Sequence, residues 1–200
     1  MQATNVKLSA AEMALACNSE VLLTKNRIIE KVYQLLGELA ENYKLAIIPQ
    51  LLPNEITVSS PKISRGENYL GLPWVMLDYP RHFKENNFFA IRTFFWWGNY
   101  FSMALLIRGD FLNLIKMDNL LKVTDFEVFI SIVANPWQHH ISLENTLLLK
   151  KMDAEDIENL IEQNGFLKLQ VKIAIENWDD VQSFMENAFK TFLEMVNKRY

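Results

Sequence analysis

The sequence predicts an α+β fold in which a largely antiparallel β-sheet of about four to six strands is packed by a long C-terminal amphipathic helix. Residues 69–108 hold 12 of the chain's 24 aromatic residues (13 Phe, 6 Tyr and 5 Trp), in apolar runs typical of strands. Residues 167–175 alternate between apolar and polar side chains, and an amphipathic helical pattern follows them. Helical patterns before residue 45 add N-terminal helices to the predicted fold.

Length and composition predict the domain organisation. The 200 residues are 50% hydrophobic, which suits one α+β domain over residues 1–200. Within this domain we distinguish an N-terminal helical segment (1–45), a proline-containing connector (46–66) and a sheet-and-helix body (67–200).

Charge and cysteine content restrict the classes of partner. The chain has 20 basic and 24 acidic residues and a net charge of −4, so it lacks the basic field of a general nucleic-acid or anionic-membrane binder. Cys17 is the only cysteine, which excludes an intrachain disulfide and favours a reducing, cytoplasmic location. The most apolar window, Phe88–Ile107, contains Arg92 and a central Gly-Asn turn, so we expect strands there and no membrane span.

Two helices are predicted in the N-terminal segment. Ser9 and Glu12 match a capping box that starts the first helix, and apolar residues at helical spacing predict a longer helix from Thr24 to Asn42. These helices pack on the sheet, flank it or reach a second subunit, and the sequence leaves the three alternatives open. The connector contains three prolines and a short β-like run, Glu55–Ser60, typical of an edge element.

The aromatic segment predicts a three-stranded meander. Its strands are Asn68–Asp78, Phe88–Trp96 and Tyr100–Arg108, and a tight turn at residues 97–99 joins the last two. Both faces of the second strand are apolar, whereas an antiparallel sheet normally leaves one face in water. We therefore expect both faces of this sheet to be covered.

Residues 110–164 predict mainly helices, with Asp110 and Asp125 as helix caps. The run Lys122–Ile132 is apolar and β-branched, so a strand competes with a helix there. Asp153–Asn164 is predicted as a short helix because an acidic cap precedes it and a glycine follows it.

The C-terminal part predicts a strand and a helix. Lys168, Gln170 and Lys172 alternate with apolar residues, which indicates a strand with one buried and one mostly hydrated face. Asn177 is expected to cap the final helix, whose broad apolar face is wide enough to lie across a sheet.

The first candidate site is the segment Asp78–Phe83, predicted as a loop after a strand. Loops on a rigid sheet often carry function, and Arg81 and His82 are suited to bind an anion such as a carboxylate or phosphate. The alternative is an ordinary polar turn shaped by Pro80.

Arg92 is the second candidate, because it lies within the aromatic strand and a buried arginine must be paired or stacked. It either anchors an anionic ligand against aromatic rings such as Trp96, or forms a salt bridge with an internal acid, Asp78 or Glu67. The sequence leaves both roles open.

No catalytic residue can be assigned. The chain contains no G-x-S-x-G, P-loop or dinucleotide-binding glycine pattern, and we expect no cofactor. His82, His139 and His140 are the only histidines, and none has the i, i+4 spacing of a strong zinc motif. We therefore expect no metal site.

Two functional hypotheses remain. The first is a non-catalytic interaction protein that forms a homodimer through the aromatic hairpin 88–108, with Phe94, Trp97 and Tyr100 at the interface. The second is a binding protein or enzyme with an aromatic-walled pocket for a small anionic ligand. The pocket residues under this hypothesis are Asp78, Arg81, His82, Arg92 and Trp96.

Overall fold

The computed structural model describes residues 6–48, 50–122 and 126–196, and its antiparallel sheet packed by helices confirms the predicted α+β class. Among the described residues the sheet has seven strands, slightly more than expected, in the spatial order β1-β2-β3-β4-β7-β5-β6. The strands are β1 (Lys62–Tyr69), β2 (Leu72–Lys84), β3 (Asn87–Trp96), β4 (Tyr100–Arg108), β5 (Phe129–Ser131), β6 (Thr146–Leu148) and β7 (Phe166–Ala174).

Most of the helical residues lie at the two ends of the chain. The predicted capping box of Ser9 and Glu12 is present at the first helix. The second helix is longer than predicted at both ends, and the Asn18 side chain caps its start at Ser19. The α-helices of the described residues are α1 (Ala10–Ala16), α2 (Ser19–Ala46), α3 (Asn54–Thr57), α4 (Met117–Leu121), α5 (Ala154–Asn164) and α6 (Val181–Met195).

The main core lies between the first face of the sheet and helices α2 and α6. The ring of Tyr43 on α2 stacks on the ring of Phe189 on α6, with centroids 4.0 Å apart. The Tyr43 hydroxyl is hydrogen-bonded to the Thr93 hydroxyl of β3 at 3.1 Å. Both helices are thereby fixed to each other and to a central strand.

The second face of the sheet is covered by residues 132–145, which we call the strap. Phe88 and Phe94 of this face are 3% and 2% exposed. The ring of Trp137 lies 5.5 Å from that of Phe88, and the ring of His139 lies 5.2 Å from that of Phe94. The expectation that both faces of the aromatic strand are covered is confirmed.

The strap corrects the prediction for the last strand. Lys168 and Gln170 of β7 were expected on a hydrated face, but each is 1% exposed because the strap lies over them. Lys172, further along the same face, is exposed as expected.

The segment Asp78–Phe83 is also corrected, since it lies within β2 and is not a loop. The register with β3 pairs Asp78 with Arg92 and Arg81 with Ala90, so β2 has one extra residue there. This β-bulge contains the cis peptide Tyr79–Pro80. Proline is tolerated in a strand at such a bulge because the hydrogen-bond ladder is interrupted.

The middle of the chain is less helical than expected. Strand β5 lies within Lys122–Ile132, so the strand alternative is confirmed for that part. Asp110 is inside a 3₁₀ helix, Gly109–Leu114, and does not cap it. The predicted cap at Asp125 lies outside the described residues.

Two further boundaries were tested by the structure. Asp153 caps α5 as predicted, and it forms a capping box with Asp156. Asn177 is wrong as a cap, because it lies inside a 3₁₀ segment, Ile175–Asp180, and α6 begins only after it. Within the predicted connector, α3 forms and β1 begins at Lys62.

Candidate functional site

A buried ion pair lies at the centre of the second face. Arg92 of β3 donates from Nε to Asp78 Oδ1 at 2.6 Å and from Nη2 to Asp78 Oδ2 at 2.9 Å. The two residues are 7% and 6% exposed, and the Trp137 ring centre lies 5.6 Å from the guanidinium carbon. Of the two predicted roles of Arg92, the structure shows the internal salt bridge with Asp78.

Lys168 is the second buried cation of this face. Its Nζ donates to the backbone oxygens of Pro136, at 3.1 Å, and of Gln138 in the strap. Burial, together with the nearby positive charge of Arg92, lowers the pKa of Lys168 from 10.5 to about 7. An uncharged amine still has two N–H groups, which is enough for both carbonyl acceptors.

Tyrosine and glutamine side chains attach the rest of the strap to the sheet. The Tyr69 hydroxyl of β1 accepts hydrogen bonds from the backbone N–H groups of His139, at 2.6 Å, and His140, at 3.1 Å. Gln170 of β7 donates to the His139 backbone oxygen at 3.0 Å, and the Tyr100 hydroxyl of β4 accepts from the Ile141 N–H at 2.8 Å. Three strands therefore fix one irregular segment.

The two strap histidines lie in different environments. Burial, followed by the positive charges of Arg92 and Lys168, lowers the pKa of His139 from 6.5 to about 3. Burial also lowers the pKa of His140, whose Nδ1 lies 2.9 Å from the Tyr69 hydroxyl. Because this hydroxyl already accepts two N–H groups, its proton is directed to the His140 nitrogen, which must be unprotonated there.

The structure places His82 on the face of the sheet opposite to Arg92. His82 pairs with Phe89 on the first face, where its ring lies 5.3 Å from the ring of Phe111. Arg81 Nε donates to the Ser60 backbone oxygen at 3.2 Å. The ligand-binding roles proposed for these residues remain predictions. In the structure, both side chains contact other residues of the chain.

The predicted interface residues are also contacted within the chain. Phe94 is buried against His139. Trp96, which was predicted as a pocket residue, is 8% exposed, and its Nε1 donates to the Tyr69 backbone oxygen at 3.2 Å. Trp97 and Tyr100 are half-buried. The hairpin interface stays a prediction, and the strap occupies the face on which it relied.

Sequence reasoning missed the role of β7 and Tyr69 in holding the strap. The signal was present, because both faces of the predicted strand Phe88–Trp96 were expected to be covered, and a cover over one strand can extend to other strands of the same sheet. Lys168 and Gln170 looked hydrated only because their strand was considered alone.

An exposed N-terminal arm is the other notable surface. We define the arm as residues 6–28, none of which is buried. Seven of the sixteen exposed large apolar residues of the described chain lie in it. They are Val6, Leu8, Met13, Leu15, Val21, Leu22 and Leu23.

Comparisons with protein-family models, with curated protein sequences and with solved structures find no match to this chain. Among the described residues, no three His, Cys, Asp or Glu side chains are grouped so as to hold a metal ion. In the same part of the chain, no helix has the length and apolar character needed to cross a membrane. The described residues form an α+β fold with a seven-stranded antiparallel sheet that the strap covers on its second face.

Proposed function

We propose that the protein is a non-catalytic, self-associating interaction protein, and that the N-terminal arm, in place of the aromatic hairpin, forms the contact between two copies. The observation that carries this proposal is the concentration of exposed apolar side chains on the arm. Exposed apolar side chains that are concentrated in one region mark contact sites on folded proteins.

The apolar stripe of α2 continues from the body of the protein into the arm. Leu22, Ile29, Leu36 and Tyr43 are spaced by seven residues and therefore lie on one face of the helix. Ile29, Leu36 and Tyr43 are 8%, 0% and 1% exposed, whereas Leu22 is 62% exposed. The face that packs on the sheet in the second half of α2 is thus largely exposed at Leu22.

The charges of the arm favour another protein copy over an anionic membrane. Glu12 and Glu20 accompany Lys25 and Arg27, so the polar side is of mixed sign, whereas membrane-surface helices are rich in Lys and Arg. Arg27 forms a salt bridge with Glu20 at 2.6 Å. Isologous homodimers are the commonest assemblies of soluble proteins, and two copies of one apolar stripe are self-complementary in polarity.

The edges of the sheet are less suited to form this contact. The edge strand β1 carries Lys62, Arg65 and Glu67, and the opposite edge strand, β6, has only three residues. Charged and short edges protect sheets against strand-to-strand pairing. The arm therefore remains the best contact surface.

Sedimentation velocity of the purified chain tests the proposal. We expect a concentration-dependent dimer for the wild type and a folded monomer for the double variant Leu15→Glu/Leu22→Glu. Leu45→Glu is the matched control, because Leu45 is an 86% exposed leucine of α2 outside the arm and its variant should still dimerise.

Two results contradict the proposal. If the wild-type chain sediments as a monomer at every concentration, it does not self-associate and the proposal is wrong. A folded monomer for Trp97→Glu, with the arm variant still dimeric, assigns the contact to the aromatic hairpin.

A further inference from the structure

A cavity of about 300 Å³ lies where the end of the strap meets β5, β6 and β7. Its walls are mostly apolar and include Phe129, Ile141, Leu147 and Leu148. A volume of this order is at the lower end for small-molecule sites. None of its lining residues belongs to the ion pair of Asp78 and Arg92 or to the N-terminal arm.

Two lysines are the charged groups of the cavity. Lys172 of β7 and Lys151 both line it. The Lys172 Nζ lies 5.3 Å from the ring centre of Phe129 and 5.4 Å from that of Tyr100, so cation–π contacts with two strands position its ammonium group. Within residues 6–48, 50–122 and 126–196, neither lysine forms a salt bridge with a carboxylate.

Two hydroxyl residues, Ser142 and Thr146, also line the cavity. The Ser142 hydroxyl accepts a hydrogen bond from the Glu144 N–H at 3.3 Å, which leaves its own proton to be donated. The Thr146 hydroxyl donates to the Ser142 backbone oxygen at 2.8 Å, and the Asn145 side chain accepts from the Ser142 N–H at 2.9 Å. These bonds fix the turn that carries Ser142, so this wall of the cavity is preorganised.

We propose that this cavity binds a small carboxylate with an apolar body, the carboxylate facing Lys172 and Lys151 and the body lying along the apolar wall. Leu143 and Leu147 line the cavity and are 97% and 43% exposed, so an apolar body would remove their side chains from water. Two ammonium groups and one hydroxyl match the two oxygens of a carboxylate. A phosphate, with more charge and no apolar part, would leave the apolar walls uncovered.

The proposal does not depend on self-association through the arm. All lining residues lie between 129 and 172, and the arm ends at residue 28. A variant of the arm should therefore leave the cavity unchanged, which makes the two proposals separable by experiment.

Isothermal titration calorimetry with sodium octanoate, 1-octanol and inorganic phosphate as probes tests the proposal. We expect octanoate to bind and both other probes to bind at least about tenfold more weakly, a difference of about 1.4 kcal/mol. Lys172→Met should weaken octanoate binding at least about tenfold while keeping the apolar stem, and Lys172→Arg should retain it. Lys150→Met is the matched control, because Lys150 is a neighbouring lysine that does not line the cavity.

Several outcomes would overturn the assignment. If octanoate does not bind, or if octanol or phosphate binds equally well, the ligand is not an amphipathic carboxylate. If Lys172→Met binds octanoate with unchanged affinity, this cavity is not the binding site. The same conclusion follows if the arm variant Leu15→Glu/Leu22→Glu loses affinity for octanoate. If circular dichroism shows that Lys172→Met is unfolded, Lys151→Met provides the same test from the other side of the cavity.

Discussion

Asp78 of β2 and Arg92 of β3 are directly paired in the register of the two strands. They form a bidentate ion pair, which the strap shields from water. Their register positions are the last pairing before the β-bulge of β2. The buried guanidinium is therefore compensated within the chain, and its charge is not available to an external anion unless Asp78 is displaced.

Removal of one partner of this pair should be strongly destabilising. Asp78→Asn leaves a buried, unpaired guanidinium, and we expect the free energy of unfolding to fall by about 3–5 kcal/mol. Urea denaturation measures this change. Glu20→Gln, which disrupts the exposed pair of Glu20 and Arg27, is the comparison and should cost less than about 1 kcal/mol. Equal losses of stability in the two variants would show that the buried ion pair contributes no more to the free energy of unfolding than the exposed one.

Lys168 should make the stability of the fold depend on pH in the alkaline range. Its pKa is lowered to about 7 in the folded protein, while the ordinary value of 10.5 applies to the unfolded chain. Between these values the unfolded chain binds more protons, so the free energy of unfolding should rise with pH. Below about pH 7 both states are charged and the cost of burying the ammonium group is fully present.

Urea denaturation of the wild type and Lys168→Met at pH 7 and pH 10 isolates this effect from other titrating groups. The wild type should gain stability relative to the variant as pH rises. Lys190→Met, at an exposed position of α6, is the comparison variant. A wild-type stability that falls relative to Lys168→Met over this range would contradict the linkage.

Tyr69 should control the attachment of the strap. Tyr69→Phe removes the acceptor of the His139 and His140 N–H groups, and we expect a loss of about 1–3 kcal/mol of stability. Amide hydrogen exchange should accelerate at these two residues, while Tyr33→Phe on α2 should leave them unchanged. Unaltered protection of both amides in Tyr69→Phe would show that the strap is held by its other contacts.

Local patterns predicted much of the fold. The capping box at Ser9, the helix cap at Asp153, the turn at residues 97–99 and the apolar runs of β3 and β4 each follow from interactions within a few residues. These local features are present in the folded protein because its tertiary contacts are compatible with them. The C-terminal helix was predicted for the same reason, although its start was placed too early.

The candidate site could not be predicted in the same way. Lys168 meets the backbone of Pro136, and Tyr69 meets His139, through contacts between residues far apart in sequence. A polar residue in an alternating strand usually faces water, so nothing local distinguishes Lys168 from the exposed Lys172. Burial of Lys168 and Gln170 depends on an irregular segment whose position is set only by the assembled sheet.

The strap also constrains the order in which this chain can fold. Its hydrogen-bond partners lie on β1, β4 and β7, which precede and follow it in sequence, so its attachment points exist only when distant strands have been brought together. Contacts of large sequence separation form slowly because loop closure must come first. We expect pulse-labelled amides at residues 139–141 to gain protection after those of β3 and β4; earlier protection would contradict this order. The last segment to fold would then be the one that removes the charges of Arg92 and Lys168 from water.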